Sequence, residues 1–262
     1  MSNRHTCATC GTMYAAGAEP THCTICEDDR QFVPRDGQSW TNQAEVARSH
    51  SVRVQRLHER FYELEIAPRF AIGQRAFLVL TDHGNVLWDC VPLLDEPTIE
   101  FIRAHGGLRA IAISHPHYYS NMREWADAFN CPVLIHASDE EWIVDKGDHV
   151  ELWDGDAYEL WDEMRLVNVG GHFPGSTVLH APALSPKGTV FTGDAVFLSP
   201  SMRHLSIMYS YPNRIPLPVE EARRVGERIE SIPFDAVYGF WGYQNLTENA
   251  RGVLHESLAR LK

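Results

Sequence analysis

Two histidines separated by one residue follow a short apolar run in residues 110–120, AIAISHPHYYS. Side chains two positions apart on an extended backbone point to the same side, about 6.5–7 Å apart, so His115 and His117 can both reach one metal ion. Pro116 lies between them, and because proline cannot donate to a strand ladder, the pair is expected just past the strand's end. This spacing predicts two metal ligands at the end of a strand.

Two later segments end in side chains of the same kind. Residues 167–175, VNVGGHFPG, place His172 after two glycines that allow close approach of the backbone. Residues 190–194, VFTGD, end an apolar run in the carboxylate of Asp194. Three imidazoles and one carboxylate, each at a strand end, are ligands suited to a divalent metal. The sequence therefore predicts a metal site formed by His115, His117, His172 and Asp194.

A second group of metal-binding side chains lies near the N-terminus. Two Cys-x-x-Cys pairs, separated by twelve residues, contain Cys7, Cys10, Cys23 and Cys26. Each pair can fold as a tight knuckle with both thiolates directed at one ion, and Zn²⁺ held by four sulfurs at about 2.3 Å closes the loop between the pairs. So short a segment has almost no core of its own, so metal binding is expected to supply most of its folding free energy.

This cysteine spacing resembles that of zinc ribbons and rubredoxin-like modules. Such a module holds either structural zinc or iron for one-electron transfer, and disulfides are a further alternative that a cytoplasmic chain disfavours. Rubredoxin-like knuckles typically carry a glycine after each pair, whereas Glu27 follows the second pair here. We therefore expect structural Zn²⁺.

The order of the histidine and aspartate motifs resembles the metallo-β-lactamase superfamily, whose motif HxHxDH is followed by a lone histidine and then by Gly-Asp. The likeness covers roughly residues 61–262, and its ligand positions carry over to His115, His117, His172 and Asp194. It implies an α+β fold in which two sheets are sandwiched between helices (αββα).

The sequence departs from that family at its second metal site. Tyr119 and Ser120 stand where the family has Asp-His, and residues 239–242, Gly-Phe-Trp-Gly, stand where its last histidine is expected. A single ion, Zn²⁺ or Fe²⁺, is therefore expected in the main domain. Tyr118 and Tyr119 either fill the vacated space or act in catalysis, with a phenol hydroxyl donating to an oxyanion or to metal-bound water.

The cysteine spacing, the turn signals and the resemblance to the superfamily together imply three parts of the chain. Residues 1–34 form the zinc-ribbon or rubredoxin-like module, residues 35–60 a linker with a short helix from Thr41 to near Ser49, and residues 61–262 the metallo-β-lactamase-like domain. Strands and helices then alternate. Within them the pattern predicts a helix at 138–144 capped by Ser138, a β-hairpin region at 150–169, and a closing helix at 246–261.

Several further side chains have two interpretations. Asp89 either lies near the site or caps a turn, and His136 and His180 either approach the site or are satisfied in the core. Cys90 and Cys131 lie in apolar segments and are expected to be core residues. Residues 202–211, rich in Met and Tyr, are expected to form a loop over the pocket that suits an apolar substrate.

Charge and hydropathy limit the partners. A net charge of −12 argues against nucleic acid or an anionic membrane as the main partner. The N-terminus lacks an apolar signal-peptide region, and no apolar run is long enough to span a bilayer. We expect a cytoplasmic protein acting on a small molecule, and the sequence leaves the oligomeric state open.

These observations support three hypotheses. The first is a metallohydrolase that directs a metal-activated water at an ester, lactone, thioester or amide, with Asp194 as fourth ligand or base. The second is an oxidoreductase resembling the superfamily's mononuclear-iron persulfide dioxygenases, which however keep the Asp-His that is missing here. The third is a non-catalytic metal-binding scaffold.

Overall fold

The structure is a computed structural model that describes residues 4–261. Its N-terminal part is a small module closed by a two-stranded antiparallel pair. Strand β1 (Thr6–Cys7) pairs with β2 (Trp40–Thr41), and the short helix α1 (Thr24–Glu27) lies between them in sequence. We call residues 4–41 the ribbon. Because β2 follows residue 34, the ribbon closes on a segment that the sequence assigns to the linker.

A one-turn helix, α2 (Gln43–Val46), leads from the ribbon into the main domain. It is shorter than the helix expected from Thr41 to Ser49. Its N-cap is Asn42, whose side chain accepts a hydrogen bond from the backbone N–H of Glu45 and so satisfies a free N–H of the first turn.

The first sheet of the main domain (residues 51–261) has seven strands in chain order. They are β3 (Ser51–His58), β4 (Phe61–Ala67), β5 (Arg75–Val79), β6 (Val86–Trp88), β7 (Ala110–Ala112), β8 (Val133–His136) and β9 (Val150–Trp153). Neighbouring strands are antiparallel from β3 to β6 and parallel from β6 to β9. Parallel strands need crossover connections. Those connections contain α3 (Glu96–Ala104) and α4 (Met122–Phe129).

The second sheet has six strands in the order β10-β11-β12-β13-β18-β19. They are β10 (Ala157–Glu159), β11 (Arg165–Asn168), β12 (Thr177–Ala181), β13 (Thr189–Gly193), β18 (Ala236–Gly239) and β19 (Asn245–Leu246). Between β13 and β18 run two short strand pairs, β14 (Phe197–Leu198) with β15 (Leu205–Ser206) and β16 (Met208–Ser210) with β17 (Ile215–Pro216). Helix α5 (Val219–Glu230) precedes β18, and α6 (Ala250–Leu258) closes the described chain.

Three apolar layers confirm the αββα sandwich. Phe77 of the first sheet meets Phe191 of the second, with ring centroids 4.8 Å apart, in the layer between the sheets. Leu78, the next residue of β5, points to the opposite face, as strand geometry requires, and packs in the layer that includes Trp125 of α4. The third layer lies between the second sheet and helices α5 and α6, where it includes Val225.

Several other predicted elements also differ from the structure. The segment assigned to the linker contains β3, which pairs along β4 at the sheet edge. The predicted helix at 138–144 is a 3₁₀ segment, Ala137–Trp142, and its N-cap is His136, whose side chain accepts from the N–H of Ser138. Within residues 150–169, β9 joins the first sheet while β10 and β11 form a hairpin in the second.

The closing helix begins at Ala250 instead of residue 246, because Asn245 and Leu246 extend the second sheet. Over residues 4–261, no helix has both the length and the apolar character needed to cross a bilayer.

Candidate metal centres

The four predicted main-domain ligands meet at one end of the two sheets. His115 and His117 follow β7, His172 lies in the turn between β11 and β12, and Asp194 follows β13 directly. All four are buried, and one ligand atom from each lies within 4.8 Å of the others. Residues separated by nearly eighty positions in sequence are thus brought to one point by the ends of strands from both sheets.

The distances between these atoms suit a single ion. Asp194 Oδ2 lies 3.5 Å from His115 Nε2, 3.7 Å from His172 Nε2 and 4.0 Å from His117 Nδ1. His172 Nε2 and His117 Nδ1 are 3.4 Å apart. A tetrahedral ion with bonds of about 2.0–2.1 Å requires ligand atoms roughly 3.3 Å apart. The donor set therefore fits a divalent metal with only small adjustments of the side chains.

Neighbouring groups fix the orientation of two imidazoles. His172 Nδ1 donates to the backbone carbonyl of Tyr209 at 2.7 Å, which leaves Nε2 unprotonated and directed at the site. His115 Nδ1 lies 2.8 Å from Ser114 Oγ, and its buried Nε2 has no hydrogen-bond partner among the described residues. A buried nitrogen without a partner is costly unless something else binds it, and such outer contacts are typical of metal-ligating histidines.

The electrostatics keep the donors in their ligand forms. Burial lowers the pKa of His172 to about 3 and that of His117 well below its ordinary value, so both imidazoles are neutral. Burial favours a raised pKa for Asp194, but the adjacent side chains of His115, His172 and Tyr118 outweigh it and lower the pKa of this carboxyl. Neutral imidazoles and an ionised carboxylate are the species that bind Zn²⁺ and Fe²⁺.

Tyr118 contacts the site directly. Its hydroxyl donates to Asp194 Oδ1 at 2.6 Å, while Asp194 Oδ2 faces the histidines. Burial and the adjacent carboxylate raise the pKa of the Tyr118 phenol well above its ordinary value, so the phenol stays protonated and remains a donor. One oxygen of Asp194 is thus occupied by a hydrogen bond.

Tyr119 is not brought to the site, unlike Tyr118. Its hydroxyl donates to the backbone carbonyl of Asp139 at 3.3 Å, and its ring packs in the apolar layer below the first sheet. Ser120 Oγ accepts from the side chain of Gln74 at 3.0 Å. The arrangement around Tyr119 corresponds to the space-filling interpretation, because a side chain that points into the core cannot reach a substrate.

Asp89 lies beside the site and binds the backbone of Ser114, the residue before His115. Its Oδ1 accepts from the backbone N–H of Ser114 at 2.8 Å, next to His115, and burial raises its pKa to about 8. Gly193, the glycine of the TGD motif, has a φ of +49°, and a Cβ there would lie 2.4 Å from Ser114 Oγ. A glycine is needed at this position because any side chain would displace the residue that holds His115.

The other histidines considered from sequence lie elsewhere. His136 Nε2 contacts the carbonyl of Gly155 at 3.1 Å, and His180 Nε2 contacts the carbonyl of Pro233 at 2.9 Å. Sequence reasoning missed Arg30, whose Nε donates to the backbone carbonyl of His172 at 2.5 Å. No local signal identifies Arg30, because the contact joins residues 142 positions apart.

A cleft of about 630 Å³ opens beside His117 and Asp194. Its walls are mainly aromatic and apolar, with Arg69 and Arg214 also lining it. Of the predicted covering loop, Met208 and Tyr211 line this cleft. Three ribbon residues also contribute to its wall: Thr9, Gln31 and Phe32. The ribbon is therefore part of the cleft.

The four ribbon cysteines form the second candidate centre. Their sulfurs lie within 4.8 Å of one another, with Cys7 and Cys26 3.6 Å apart and Cys10 and Cys23 3.5 Å apart. All six cysteines of the chain lie in the described residues and are free thiols, so the disulfide alternative does not apply to this structure. Four convergent, buried thiols are consistent with a zinc knuckle.

Comparisons with known proteins place these features in context. The family model described as the metallo-beta-lactamase superfamily matches residues 71–239. An uncharacterized protein of Bacillus subtilis (strain 168), YmaE, is 38% identical over 258 residues, covering 97% of this chain and 94% of that protein. That similarity spans the ribbon as well as the main domain.

Solved structures share the fold at low sequence identity. The DIM-1 metallo-beta-lactamase superposes with a TM-score of 0.61 at 15% identity, covering 80% of this chain and 97% of that one. The mono-zinc form of the metallo-beta-lactamase FIM-1 from Pseudomonas aeruginosa gives a TM-score of 0.59 at 12% identity, covering 80% and 94%. A di-iron-bound form of TTHA1623 gives 0.53 at 21% identity, covering 74% and 96%.

Proposed function

Because this chain belongs to the metallo-β-lactamase superfamily, we propose that it is a metal-dependent hydrolase with one divalent ion in its main domain. The observation that carries the proposal is the convergence of four buried ligand atoms within 4.8 Å at the edge of an open cleft. The ligands are His115, His117, His172 and Asp194. Zn²⁺ is the ion we favour for hydrolysis, with Fe²⁺ as the alternative occupant.

An ion held there would supply a Lewis acid and lower the pKa of a water molecule towards about 7. The side chains of this protein then have separate tasks. Tyr118 holds Asp194 in place through Oδ1, so that Oδ2 stays directed at the three imidazoles. The lowered pKa of Asp194 makes it a weak base near neutral pH, which favours its role as fourth ligand over that of proton acceptor.

The surroundings of Asp194 support a single ion. A second ion would need donors of its own, and Asp194 Oδ1, the carboxylate oxygen that faces away from the histidines, already accepts the Tyr118 hydrogen bond. Tyr119 and Ser120 are engaged with Asp139 and Gln74, away from the four ligand groups. Few oxygen or nitrogen donors are therefore left to offset the dehydration of a second cation.

The cleft supports a small, largely apolar substrate. A volume of about 630 Å³ is in the range of small-molecule sites, and the wall is formed mostly by apolar and aromatic side chains. The aromatic residues are Phe32, Phe197, Tyr211, Phe240 and Trp241. We propose an ester, lactone, thioester or amide as the hydrolysed group.

For the ribbon we propose structural Zn²⁺ bound by Cys7, Cys10, Cys23 and Cys26. Four thiolates bound to Zn²⁺ and two buried thiols, Cys90 and Cys131, are typical of a reducing compartment, and we propose the cytoplasm.

The test combines metal analysis with turnover in matched histidine variants. The full chain should bind about two metal ions, one in each centre, and hydrolyse members of an ester, lactone, thioester and amide panel. His115→Ala should lose about one ion together with all turnover. His180→Ala is the matched control, since His180 is also buried but contacts the carbonyl of Pro233. It should keep both ions and full turnover.

Two other outcomes would contradict the proposal. Iron in the main domain, with consumption of O₂ in the presence of a persulfide and no hydrolysis, would favour the oxidoreductase. Metal in the ribbon alone, with His115→Ala indistinguishable from wild type, would favour the non-catalytic scaffold.

A further inference from the structure

The ribbon packs against the loop that carries a main-domain ligand. Arg30 lies four positions after Cys26, and its Nε donates to the backbone carbonyl of His172 at 2.5 Å. The Arg30 side chain is only 14% exposed, and the Asp28 carboxylate accepts from its Nη1 at 3.0 Å. A guanidinium is thus held beside the metal-ligating loop, with its charge balanced within the ribbon.

Arg30 contacts both residues, His172 and Tyr209, that are joined by the hydrogen bond that orients the His172 ring. Its guanidinium carbon lies 4.3 Å from the ring centroid of Phe173, the residue after His172. The same carbon lies 4.5 Å from the ring centroid of Tyr209, whose carbonyl accepts from His172 Nδ1. A planar guanidinium can donate to a carbonyl and stack on two rings at once, whereas a lysine ammonium cannot.

Side-chain hydrogen bonds from the segment around Tyr209 to the ribbon backbone extend this connection. Ser210 Oγ donates to the carbonyl of Arg30 at 3.1 Å, and Asn213 Nδ2 donates to the carbonyls of Asp29 and Gln31 at 2.9 and 2.8 Å. The segment that provides the carbonyl for His172 is therefore bound to the ribbon over several residues.

We propose that Arg30 is a positioning residue for the main-domain metal centre, through which the ribbon determines how tightly that centre holds its ion. The inference rests on the proposed function, since it requires a metal at His172. The physical reason is that partners of a ligating imidazole fix its ring orientation, and their loss typically costs about 10- to 100-fold in metal affinity. Arg30 contacts His172 through its backbone carbonyl and Tyr209 through its ring, and within residues 4–261 it makes no hydrogen bond to the ligand atoms.

A second arginine provides a control for simple docking of the ribbon. Arg4 Nη1 donates to Asp145 at 2.7 Å, and both side chains are less than 10% exposed. Arg4 thus also joins the ribbon to the main domain through a buried ion pair. Within residues 4–261, however, it has no hydrogen bond or ion pair with the four ligand groups.

The experiment measures metal release from the full chain loaded with Co²⁺ or Zn²⁺. Transfer of the ion to a chromogenic chelator is followed over time, and His115→Ala identifies the phase that belongs to the main domain. The visible Co²⁺ spectrum, after subtraction of the His115→Ala spectrum, reports the ligand geometry there. Arg30→Met, Arg30→Lys and Arg4→Met are compared with wild type.

We expect Arg30→Met to release the main-domain ion about 10- to 100-fold faster and to change its Co²⁺ spectrum, with the ribbon phase unchanged. Arg30→Lys should recover only part of the loss, because lysine keeps the charge without the planar fork. Arg4→Met should behave as wild type in this phase.

The outcomes separate the two proposals. Equal release rates for wild type and Arg30→Met would overturn the role of Arg30 while leaving the hydrolase proposal intact. Equal acceleration by Arg30→Met and Arg4→Met would also overturn it, because docking alone would then explain the effect. A wild-type main domain that binds no ion would contradict both the proposed function and this inference. Slow release that depends on Arg30, without turnover on any substrate, would support the inference and contradict only the hydrolase.

Discussion

The ribbon and the main domain each gather four buried side chains around one point, but they do so in different ways. The ribbon uses four thiols from residues 7–26, all at most 1% exposed. The main domain uses three imidazoles and a carboxylate that lie as much as 79 positions apart (194 − 115) and border an open cleft. Four thiolates on a short loop complete the shell of an ion and leave no position for a reactant.

This difference bears on our proposal that the main-domain centre is the catalytic one. A closed centre built from neighbouring residues can fold its own segment and little else. A centre assembled from strand ends is held by the cores of both sheets, which can keep it rigid while one side stays open to a substrate. The contacts of Arg30 suggest that the two centres are nevertheless linked.

The largest effect should come from removing ribbon ligands. Cys7→Ser with Cys10→Ser should lose about one metal ion per chain and expose the ribbon to protease, because the four cysteines form most of the ribbon's own buried core. The sheets of the main domain should stay folded, while its ion is released faster than in wild type because Arg30 is no longer held. Metal content and limited proteolysis provide the measurements.

The matched control for this pair is Cys131→Ser, since Cys131 is a buried core thiol outside the ribbon. It should keep both ions at a modest cost in stability. Unchanged metal content in the Cys7/Cys10 variant would refute the ribbon centre. Loss of one ion with no change in release of the other would show that the two centres are independent.

An intermediate effect is expected from the two adjacent tyrosines. Tyr118→Phe removes the hydroxyl that binds Asp194 Oδ1, and we expect release of the main-domain ion to accelerate about 10-fold or more, with a parallel loss of turnover. Tyr119→Phe removes a hydroxyl directed at the Asp139 carbonyl and should change neither. Chelator competition and steady-state kinetics distinguish them, and equal effects of both substitutions would contradict the assignment of Tyr118.

The last prediction concerns the stability of the fold and a buried carboxyl beside the His172 loop, and it affects the two centres least. Asp139 Oδ1 accepts from the N–H of Gly175 at 2.7 Å, and burial raises the pKa of Asp139 to about 7. Between about pH 4 and pH 7 the folded state therefore keeps a proton that the unfolded chain has released. This group contributes stability at low pH that is lost as the pH rises, by roughly 1 kcal/mol per pH unit.

Asp139→Asn should remove that dependence from the free energy of unfolding of the main domain, because the amide oxygen still accepts from Gly175 and no longer titrates. Chemical denaturation at several pH values measures it. Asp82→Asn is the control, since the Asp82 side chain is 75% exposed, and should retain the wild-type slope. The same slope in Asp139→Asn as in wild type would show that another group is responsible.

Several elements follow from local sequence. Helix α4 ends at Phe129 because Asn130, a residue that tolerates the left-handed conformation, adopts it and stops the helix. Strand β3 was missed because helix-forming residues precede it, although its Val52 and Val54 alternate with polar residues and pack against the core. Its pairing along β4 makes it the edge strand of the first sheet.

The sequence by itself determined both candidate ligand sets. The spacing of two Cys-x-x-Cys pairs, and the placement of histidine and aspartate at the ends of apolar runs, are properties of backbone geometry over a few residues. These local geometries do not depend on how the rest of the chain folds. The same reasoning placed Tyr118 and Tyr119 together as two candidate catalytic phenols.

Only the tertiary structure decided which tyrosine contacts the site and what surrounds it. Adjacent residues in a turn point in different directions, so Tyr118 reaches Asp194 while Tyr119 turns into the core. Arg30 meets His172 across 142 positions, and such a contact depends on how the ribbon packs against the two sheets. How the ribbon packs is determined by many apolar contacts between residues far apart in sequence, and the spacing of neighbouring residues does not encode these contacts.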